Sequence, residues 1–372
     1  MVHTLTPAAD LGVDIDDVAR LLTADGERIA DSVLDPWIAD VDAAQLRALY
    51  RDMVVLRRID AEGVALQRQG QLGLWAPCTG QEATQIGTAR GLREDDFTFP
   101  SYREIGVVYA RGGRPSDFVL SWRGEAHSTL EPATMHSAVP QIIIGAQTLH
   151  AVGYAMGIQR DGTDQVSATY FGDGASSQGD VNESFVWAAA ENLPIVYFCQ
   201  NNQWAISAPV TTQSRVPIYH RAGGFGFPGV RIDGNDVLAS LAVTRKALDQ
   251  ARAGLGPTLI EAYTYRMNPH TTSDDPTRYR LAAETETWKL KDPIARVRAY
   301  LTRHAHVGQD FFDAIDEESE QLAEHVRAGC RALPDPDPLS VFEHVHVELT
   351  DELREQRDAF AAYLDSFEEV PA

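Results

Sequence analysis

The stretch YFGDGASSQGDVNE, residues 170–183, begins with the last two residues of the apolar segment VSATYF and is followed by the apolar segment SFVWAAA. It places one aspartate, Asp173, between two glycines, where a buried strand is predicted to end and a helix to begin. Ligands of open α/β sheets bind at the carboxyl ends of the strands, where a helix N-terminus offers backbone amides to an anion. The stretch therefore predicts an anion site that carries a carboxylate of its own.

A cation would reconcile this carboxylate with an anionic ligand. Mg²⁺ is commonly held by one or two protein oxygens together with phosphate groups of the ligand. The next predicted strand, PIVYFCQ, is followed directly by Asn201 and Asn202, at the same edge of the sheet. One strand–helix–strand unit would then bring Asp173, the Asn202 amide oxygen and a loop carbonyl such as that of Trp204 around one metal ion.

A nucleotide-dependent oxidoreductase is the alternative on the same kind of sheet. Its fingerprint is Gly-x-Gly-x-x-Gly, but here the glycine that follows Gly172 and Gly174 is Gly179, which comes too late in the chain. Asp173 would also repel a diphosphate in the absence of a metal. Thermal stabilisation by NAD, rather than by a diphosphate with Mg²⁺, would favour this alternative.

The order of the segments predicts an α/β fold with a parallel sheet covered by helices on both faces. The strand segments VSATYF, PIVYFCQ and TLIEAYTYR alternate with helical patterns. Asp180 and Glu183 have capping-box spacing at the start of one such helix. We expect an N-terminal arm over 1–40, an α/β domain over 41–300 and a C-terminal helical extension over 301–372.

Composition limits the partners of the chain. Its 372 residues carry 32 Lys and Arg against 54 Asp and Glu, a formal net charge of −22. We therefore expect no binding to nucleic acid or to an anionic membrane, and no apolar run approaches the roughly 20 residues of a membrane span. Cys78, Cys199 and Cys330 are widely spaced, which favours reduced thiols and a cytoplasmic location.

The wider chain resembles the α subunit of the heterotetrameric 2-oxo acid dehydrogenases, the decarboxylating component of the branched-chain and pyruvate complexes. The resemblance rests on TGQEA, FPSYRE, IIGAQ, YFGDGASSQGDVNESF, NNQWAIS, VRIDGNDV and HTTSDDPTRYR. It implies a thiamin diphosphate-binding fold, with thiamin diphosphate and Mg²⁺ as cofactors. It also implies oxidative decarboxylation of a 2-oxo acid and reductive acylation of a lipoyl carrier.

The resemblance assigns roles residue by residue. Asp173, Asn202 and the Trp204 carbonyl would be the Mg²⁺ ligands. Ile144 aligns with the large apolar residue that holds the cofactor bent, and Ile142 would offer its backbone to the aminopyrimidine. The implied cofactor-binding residues are Tyr102, Arg103, Ile142, Ile144, Gly172, Asp173, Gly174, Ala175, Asn202, Trp204 and His270.

The same resemblance distributes the charge around the diphosphate. Tyr102 and Arg103 match a Tyr-Arg pair that holds it, a task that suits the forked donors of arginine. The backbone amides of Gly174 and Ala175 would also contact it. Family members often carry a cation just before the Asn-Asn pair, where this chain has Gln200, so more of the compensation would fall on Arg103.

The loop MNPHTTSDD is expected to carry catalytic residues. His270 matches an active-site histidine whose ordinary pKa suits holding the diphosphate or assisting acyl transfer. Arg266, to which we also assign a catalytic role, and Arg280 flank the loop and would engage a substrate carboxylate or the lipoyl carrier. Thr271 stands where some relatives carry a phosphorylated serine, which argues against kinase control.

The resemblance implies that the chain holds half of an active site. The glutamate that contacts the cofactor pyrimidine comes from the β subunit in this family. Glu82 of TGQEA does not replace it, because single-chain relatives that fuse both halves are much longer. We expect an α₂β₂ heterotetramer with the cofactor at the α/β interface, and the lipoyl domain of the acyltransferase component as a further partner.

The substrate side chain is the least determined feature. Relatives with these motifs act on branched-chain 2-oxo acids, pyruvate or acetoin, and HTTSDDPTRYR favours the branched-chain group, with pyruvate as the alternative. Trp75 in LGLWAPCTGQEA is expected to form a wall of the pocket. A non-catalytic assembly subunit is a further alternative, disfavoured because a full set of cofactor residues is present.

Overall fold

The computed structural model of the chain describes residues 18–124, 130–335 and 337–368. Much of the predicted N-terminal arm, residues 1–17, and the last part of the predicted C-terminal extension, residues 369–372, lie outside the described residues. The strands are β1 (Phe97–Phe99), β2 (Ser167–Gly172), β3 (Ile195–Asn201), β4 (Trp204–Ala205), β5 (Ala208–Pro209), β6 (Gly229–Asp233) and β7 (Thr258–Tyr263). Five of them form a parallel sheet in the order β1-β2-β3-β7-β6, and β4 and β5 form a separate antiparallel pair.

Helices surround the sheet and extend the chain beyond it. They are α1 (Ala43–Arg68), α2 (Glu82–Gly91), α3 (Ile105–Ala110), α4 (Pro115–Arg123), α5 (Pro132–Met135), α6 (Ala146–Asp161), α7 (Gly179–Ala190), α8 (His220–Phe225), α9 (Val237–Arg252), α10 (Ala282–Lys289), α11 (Pro293–His304), α12 (Gln309–Ala332) and α13 (Asp351–Glu368). Short 3₁₀ turns lie at Asp35–Ile38, Asp173–Ser177, Val210–Thr212, Pro276–Arg278 and Pro338–Phe342.

Alternate side chains of the sheet enter two separate cores, which explains why its strands read as unbroken apolar runs. In β3, Val196 and Phe198 pack into the core that contains α1, α2 and α9. Tyr197 and Cys199 pack into the core that contains α6 and α7. The predicted α/β class, with a parallel sheet covered on both faces, is confirmed.

The register of the central strands positions the predicted site. Gly172, the last residue of β2, pairs with Gln200 near the end of β3, and Asn201 pairs with Tyr263 at the end of β7. Because parallel strands end at the same edge, the turn at Asp173–Ser177 and the turn after Asn201 lie side by side.

One local prediction was wrong, and it concerns the start of α7. Asp180 and Glu183 do not form a capping box, because α7 already begins at Gly179 and its N-cap is Gln178, which makes no side-chain cap. Asp180 therefore lies inside the first turn of the helix. In the segment IIIGAQ, α6 begins only after Gly145, whose φ is +87°, and the preceding Ile142 and Ile144 are exposed.

The described part of the N-terminal arm is attached to the α/β domain. Leu21 and Leu22 are fully buried, and both backbone amides donate 2.6 Å hydrogen bonds to Oδ2 of Asp236, which also caps α9. At the other end, α11 crosses the predicted boundary at residue 300 and α12 packs against α1. The three-part division stays a prediction.

Two further observations concern predictions made from composition. All three cysteines, Cys78, Cys199 and Cys330, are free and buried. In the part of the chain that the structure describes, none of the helices has both the length and the apolar character that a membrane span requires.

Candidate active site

A cavity of ≈ 250 Å³ lies at the carboxyl ends of β2 and β3. Most of the residues predicted from the sequence meet there, although they come from five separate segments of the chain. Those that line the cavity are Tyr102, Arg103, Ile144, Gly172, Asp173, Gly174, Ala175, Asn202, Trp204 and His270. The assigned roles of these residues stay predictions, whereas their convergence is an observed feature of the fold.

The turn after β2 is shaped by its glycines. A Cβ atom added to Gly172 would meet nothing within 4 Å, so the space beside this residue belongs to the cavity. A Cβ atom on Gly174 would lie 2.7 Å from Cβ of Ala205, so this glycine allows the turn to pack closely against β4. Glycine at both positions therefore keeps backbone amides accessible to a ligand.

Asp173 between these glycines is a buried carboxyl group, only 1% exposed. Burial raises its pKa to about 6, and backbone hydrogen bonds and the charge of Arg266 oppose this shift. Its side-chain contact with Nε2 of Gln213 is long, at 3.4 Å. A carboxylate in this position would be stabilised by a nearby cation.

The two asparagines after β3 serve different purposes. Asn201 turns toward the domain interior, where its Nδ2 donates to Oε1 of Glu261 at 2.6 Å. Asn202 lines the cavity, and its Oδ1 accepts a 3.3 Å hydrogen bond from the Trp204 amide. The Trp204 carbonyl accepts a hydrogen bond from Nη1 of Arg266 at 3.0 Å, which leaves one of its lone pairs free.

His270 and Arg103 form the other wall of the cavity. Nη2 of Arg103 lies 3.0 Å from Nδ1 of His270, and its Nη1 donates to the Pro77 carbonyl at 2.6 Å. Burial lowers the pKa of His270 to about 3, with further lowering by the charges of Arg103 and Arg266. Because arginine only donates, Nδ1 must be the acceptor, so the neutral ring carries its proton on Nε2.

Two of the predicted site residues do not line this cavity. Arg266 is fully buried behind it and donates to the carbonyls of Trp204 and Ile206, at 3.0 and 2.7 Å, and to Tyr279 Oη at 2.8 Å. Ile142 is 66% exposed and lines a smaller adjoining cavity of ≈ 40 Å³, which it shares with Tyr102.

The hydrogen-bond donors of Arg280 are also used within the chain. It donates to the carbonyls of Arg266, Met267 and Asn268, so it braces the loop that carries His270. The expectation that it engages a substrate or a carrier is not supported by these contacts.

Trp75 does not form the pocket wall that its sequence context suggested. It is 1% exposed, and its Nε1 donates to the buried carboxylate of Asp60 at 2.9 Å. Glu82 is equally buried and accepts a 2.8 Å hydrogen bond from Nε of Arg57. The large apolar surface of Trp75 therefore serves the core, and Glu82 takes part in an internal ion pair.

Several polar residues of the cavity were missed from the sequence, although they lie within or beside the quoted motifs. Gln81, Glu104 and Gln147 belong to TGQEA, FPSYRE and IIGAQ, and each lines the cavity. The amides of Gln81 and Gln147 carry no distinctive chemical signal in a sequence, and Glu104 is one of 54 acidic residues, which explains why these residues were not predicted. Their position next to the recognised residues was the only available signal.

The cavity has the properties of a site for a polar, diphosphate-bearing cofactor. Gln81 Nε2, Gln147 Oε1 and Gln200 Oε1 are buried and have no hydrogen-bond partner among the described residues, yet all three residues line the cavity. Unsatisfied buried polar atoms are costly, which indicates that a ligand supplies the missing partners. Together with Asp173 and Arg103, this donor set fits thiamin diphosphate held with a hard cation.

Comparison with known proteins agrees with this arrangement. The family model described as the dehydrogenase E1 component matches residues 50–338. A Mycobacterium tuberculosis protein named 3-methyl-2-oxobutanoate dehydrogenase subunit alpha is 46% identical over 359 residues, which cover 95% of this chain and 96% of the relative.

Proteins named pyruvate dehydrogenase E1 component subunit alpha are also similar. The protein of Acholeplasma laidlawii is 37% identical over 330 residues, covering 86% of this chain and 94% of the relative. A Staphylococcus epidermidis protein is 35% identical over 349 residues and covers 92% of each chain. The predicted resemblance and enzyme class, a 2-oxo acid dehydrogenase among the oxidoreductases, are confirmed. The chain therefore belongs to the dehydrogenase E1 component family, as a relative of its α subunits.

Proposed function

We propose that this chain is the α subunit of a branched-chain 2-oxo acid dehydrogenase that uses thiamin diphosphate and Mg²⁺. The observation that supports the proposal is that Asp173, Asn202 and Trp204 line one cavity at the carboxyl edge of the sheet, together with buried polar atoms that have no partner among the described residues. An aspartate, an asparagine and a carbonyl are oxygen ligands of the kind that Mg²⁺ prefers.

The remaining lining residues would hold the organic cofactor. Arg103 and the amides of the Gly174–Ala175 turn would contact the diphosphate, and Ile144 would pack against the rings. Bound thiamin diphosphate supplies the electron sink that decarboxylation of a 2-oxo acid requires. The part played by this chain is then to bind, orient and shield the reacting groups.

His270 would act as a neutral hydrogen-bond donor. With Nδ1 accepting from Arg103, the proton on Nε2 is the one available to an oxygen atom in the cavity. Arg266 would be a positioning residue, because it contacts the His270 ring at 3.4 Å and the Trp204 carbonyl at 3.0 Å without lining the cavity.

A β subunit would complete the site. The carboxyl groups among the described lining residues are those of Asp173 and Glu104, and Glu104 already accepts hydrogen bonds from Ser101 and Gln200. The glutamate that the cofactor pyrimidine needs would therefore come from a partner. The exposed segment 142–144 lies beside the cavity and offers an apolar surface for that partner, consistent with an α₂β₂ heterotetramer.

The branched-chain substrate is supported by the similarity to the Mycobacterium tuberculosis protein, which is 46% identical to this chain. Pyruvate remains the second candidate, because proteins named as pyruvate dehydrogenase subunits are 35–37% identical. Transfer of the acyl group to the lipoyl domain of an acyltransferase component is part of the same proposal. So are a cytoplasmic location and the division at residues 40 and 300.

The experiment is carried out with the chain assembled with its β subunit. We expect Asp173→Ala to abolish decarboxylation in the presence of thiamin diphosphate and Mg²⁺, whereas Asp180→Ala, an exposed acid on the neighbouring helix, keeps it. Wild-type activity in the Asp173 variant would refute the metal assignment. Specificity constants for 3-methyl-2-oxobutanoate and pyruvate then decide the substrate, and a preference for pyruvate would replace the branched-chain proposal.

A further inference from the structure

One buried acid of the cavity has no role in the function proposed above. Glu104 is 2% exposed and lines the cavity beside Arg103. Its Oε2 accepts a 2.7 Å hydrogen bond from the Ser101 amide, and its Oε1 accepts one from Nε2 of Gln200. Neither donor carries a charge. Burial raises the pKa of Glu104, and the hydrogen bonds from Ser101 and Gln200 and the charge of the neighbouring Arg103 act against this shift.

The charges that face the cavity are unevenly balanced. Among the described residues that line it, Arg103 is the one permanent cation, and His270 is neutral. Asp173 and Glu104 are the two acids. A metal-free diphosphate would therefore meet two carboxyl groups and one guanidinium at the wall of the cavity, with the buried Arg266 behind that wall. A metal-bound diphosphate brings its own positive charge and meets much less repulsion from the same wall.

We propose that Glu104, held in place by Gln200, makes the cavity select the metal-bound form of the diphosphate cofactor over the metal-free form. The inference rests on the proposed function, since it takes thiamin diphosphate as the ligand. Asp173 would bind the metal directly, whereas Glu104 would act at longer range by repelling a metal-free diphosphate and so weakening its binding. Each ligand would then strengthen the binding of the other by the same factor.

Gln200 gives the proposal a structural test of its own. Its side chain is 1% exposed. Its Nε2 donates a hydrogen bond to Glu104, and its Oε1 has no partner among the described residues. Glu104→Gln keeps the shape of the side chain, and an amide flip of Gln200 would let it accept from the new amide. Gln200→Arg instead adds a cation beside Glu104, which would neutralise the acid without removing it.

The experiment measures binding rather than catalysis. Titration calorimetry gives the affinity of the α chain, assembled with its β subunit, for thiamin diphosphate with excess Mg²⁺ and with EDTA. For the wild type, the ratio of the two affinities reports the selectivity for the metal-bound form. We expect Glu104→Gln to lower this ratio about fivefold or more, chiefly by tightening metal-free binding, because one repulsive charge is removed. Gln200→Arg should lower it in the same direction.

The control is Glu131→Gln, which removes an exposed carboxylate outside the cavity and should leave the ratio unchanged. An unchanged or increased ratio in the two cavity variants would overturn the inference. If Glu104→Gln does not fold, as judged by thermal unfolding, the result for Gln200→Arg decides. A wild type that binds no thiamin diphosphate under either condition would instead refute the proposed function, and would remove the basis of this inference with it.

Discussion

Arg103 holds His270 by two atoms: its Nη2 lies 3.0 Å from Nδ1 of the ring and 3.0 Å from the carbonyl oxygen of the same residue. The ring is therefore fixed in orientation, and its acceptor nitrogen is occupied by a group that cannot accept a proton itself. A second guanidinium, that of Arg266, lies 3.4 Å from the same nitrogen. Two cations thus oppose protonation of one imidazole.

The first prediction concerns the charge of His270. Because its pKa is lowered to about 3, the ring should show no titration between pH 8 and pH 5, measured by NMR of histidine-labelled cofactor-free protein. His270→Gln identifies the resonance. A titration midpoint near pH 6 would contradict the prediction.

The same shift fixes the sign of a stability effect. Above the ordinary histidine pKa of 6.5, the ring is neutral in both the folded and the unfolded chain. Below that pH the unfolded chain binds a proton that the folded chain excludes, so the contribution of His270 to stability falls as pH decreases from 6.5 toward 3. His270→Gln should therefore lose less stability on acidification than the wild type, as measured by urea unfolding.

Two glycines of the turn after β2 should respond differently to the same substitution. Gly172→Ala places a methyl group in open cavity space at a φ of −83°, so we expect wild-type stability but about tenfold weaker binding of thiamin diphosphate with Mg²⁺. Gly174→Ala forces a contact of 2.7 Å with Ala205 and should cost about 1–3 kcal/mol of unfolding free energy. Calorimetry and urea unfolding separate the two effects, and equal stability losses in both variants would contradict this account.

Asp60 should be important for stability although it lies outside the cavity. Its Oδ2 accepts from the amides of Cys78 and Thr79 and from the Thr79 hydroxyl, and its Oδ1 accepts from Trp75 Nε1. In Asp60→Asn, at least one of these buried donors faces the NH₂ group of the new amide, which cannot accept a hydrogen bond. We therefore expect a loss of about 2–3 kcal/mol in unfolding free energy. Asp164→Asn, at an exposed ion pair, should change it by less than about 1 kcal/mol. Similar small losses for both variants would count against the role of Asp60.

The stability that the contact between α1 and α12 provides should decrease at acid pH. Both oxygens of Glu62 accept 2.8 Å hydrogen bonds from Arg327, and Oε2 also accepts one from Arg58 at 3.0 Å. Burial acts to raise the pKa of Glu62, but the hydrogen bonds and charges of these two arginines outweigh it, so the pKa is lowered. The stabilisation is therefore full above the ordinary glutamate pKa of 4.5 and is lost as pH falls through the lowered value.

We expect Glu62→Gln to cost about 1–2 kcal/mol at neutral pH, because two arginines lose their charged partner. The difference from the wild type should shrink as pH is lowered below the ordinary glutamate pKa, as measured by the urea midpoint. Glu317→Gln, an exposed position on α12, provides the control and should show no such convergence. A difference that stays constant down to acid pH would contradict the assignment.

The parallel sheet, and the site at the carboxyl ends of its strands, could be predicted because short stretches of the sequence indicate them directly. Buried parallel strands such as β3 are continuous apolar runs, and the Gly-Asp-Gly turn combines backbone freedom with a single charge. The exposure of Ile142 and Ile144 could not be predicted in this way, since an exposed apolar run has the same composition as one in the core. Only the fold distinguishes exposed from buried isoleucine.

Residues that act through others were harder to assign. Arg266 was expected to contact substrate because it flanks the His270 loop, but its donors are used by carbonyl groups and by Tyr279. Trp75 was expected to form a wall of the pocket, but its indole lies in the core, where Nε1 donates a hydrogen bond to the carboxylate of Asp60. Both outcomes depend on partners that are distant along the chain, which no local pattern reveals.

The buried guanidinium of Arg266 contacts two loops at once, the turn at Trp204 and Ile206 and the loop of His270 and Tyr279. A disturbance on either side is therefore transmitted to the other through a single side chain. Replacing Arg266 would therefore release the carbonyl groups of the Trp204 turn and the ring of His270 together, although this side chain does not line the cavity.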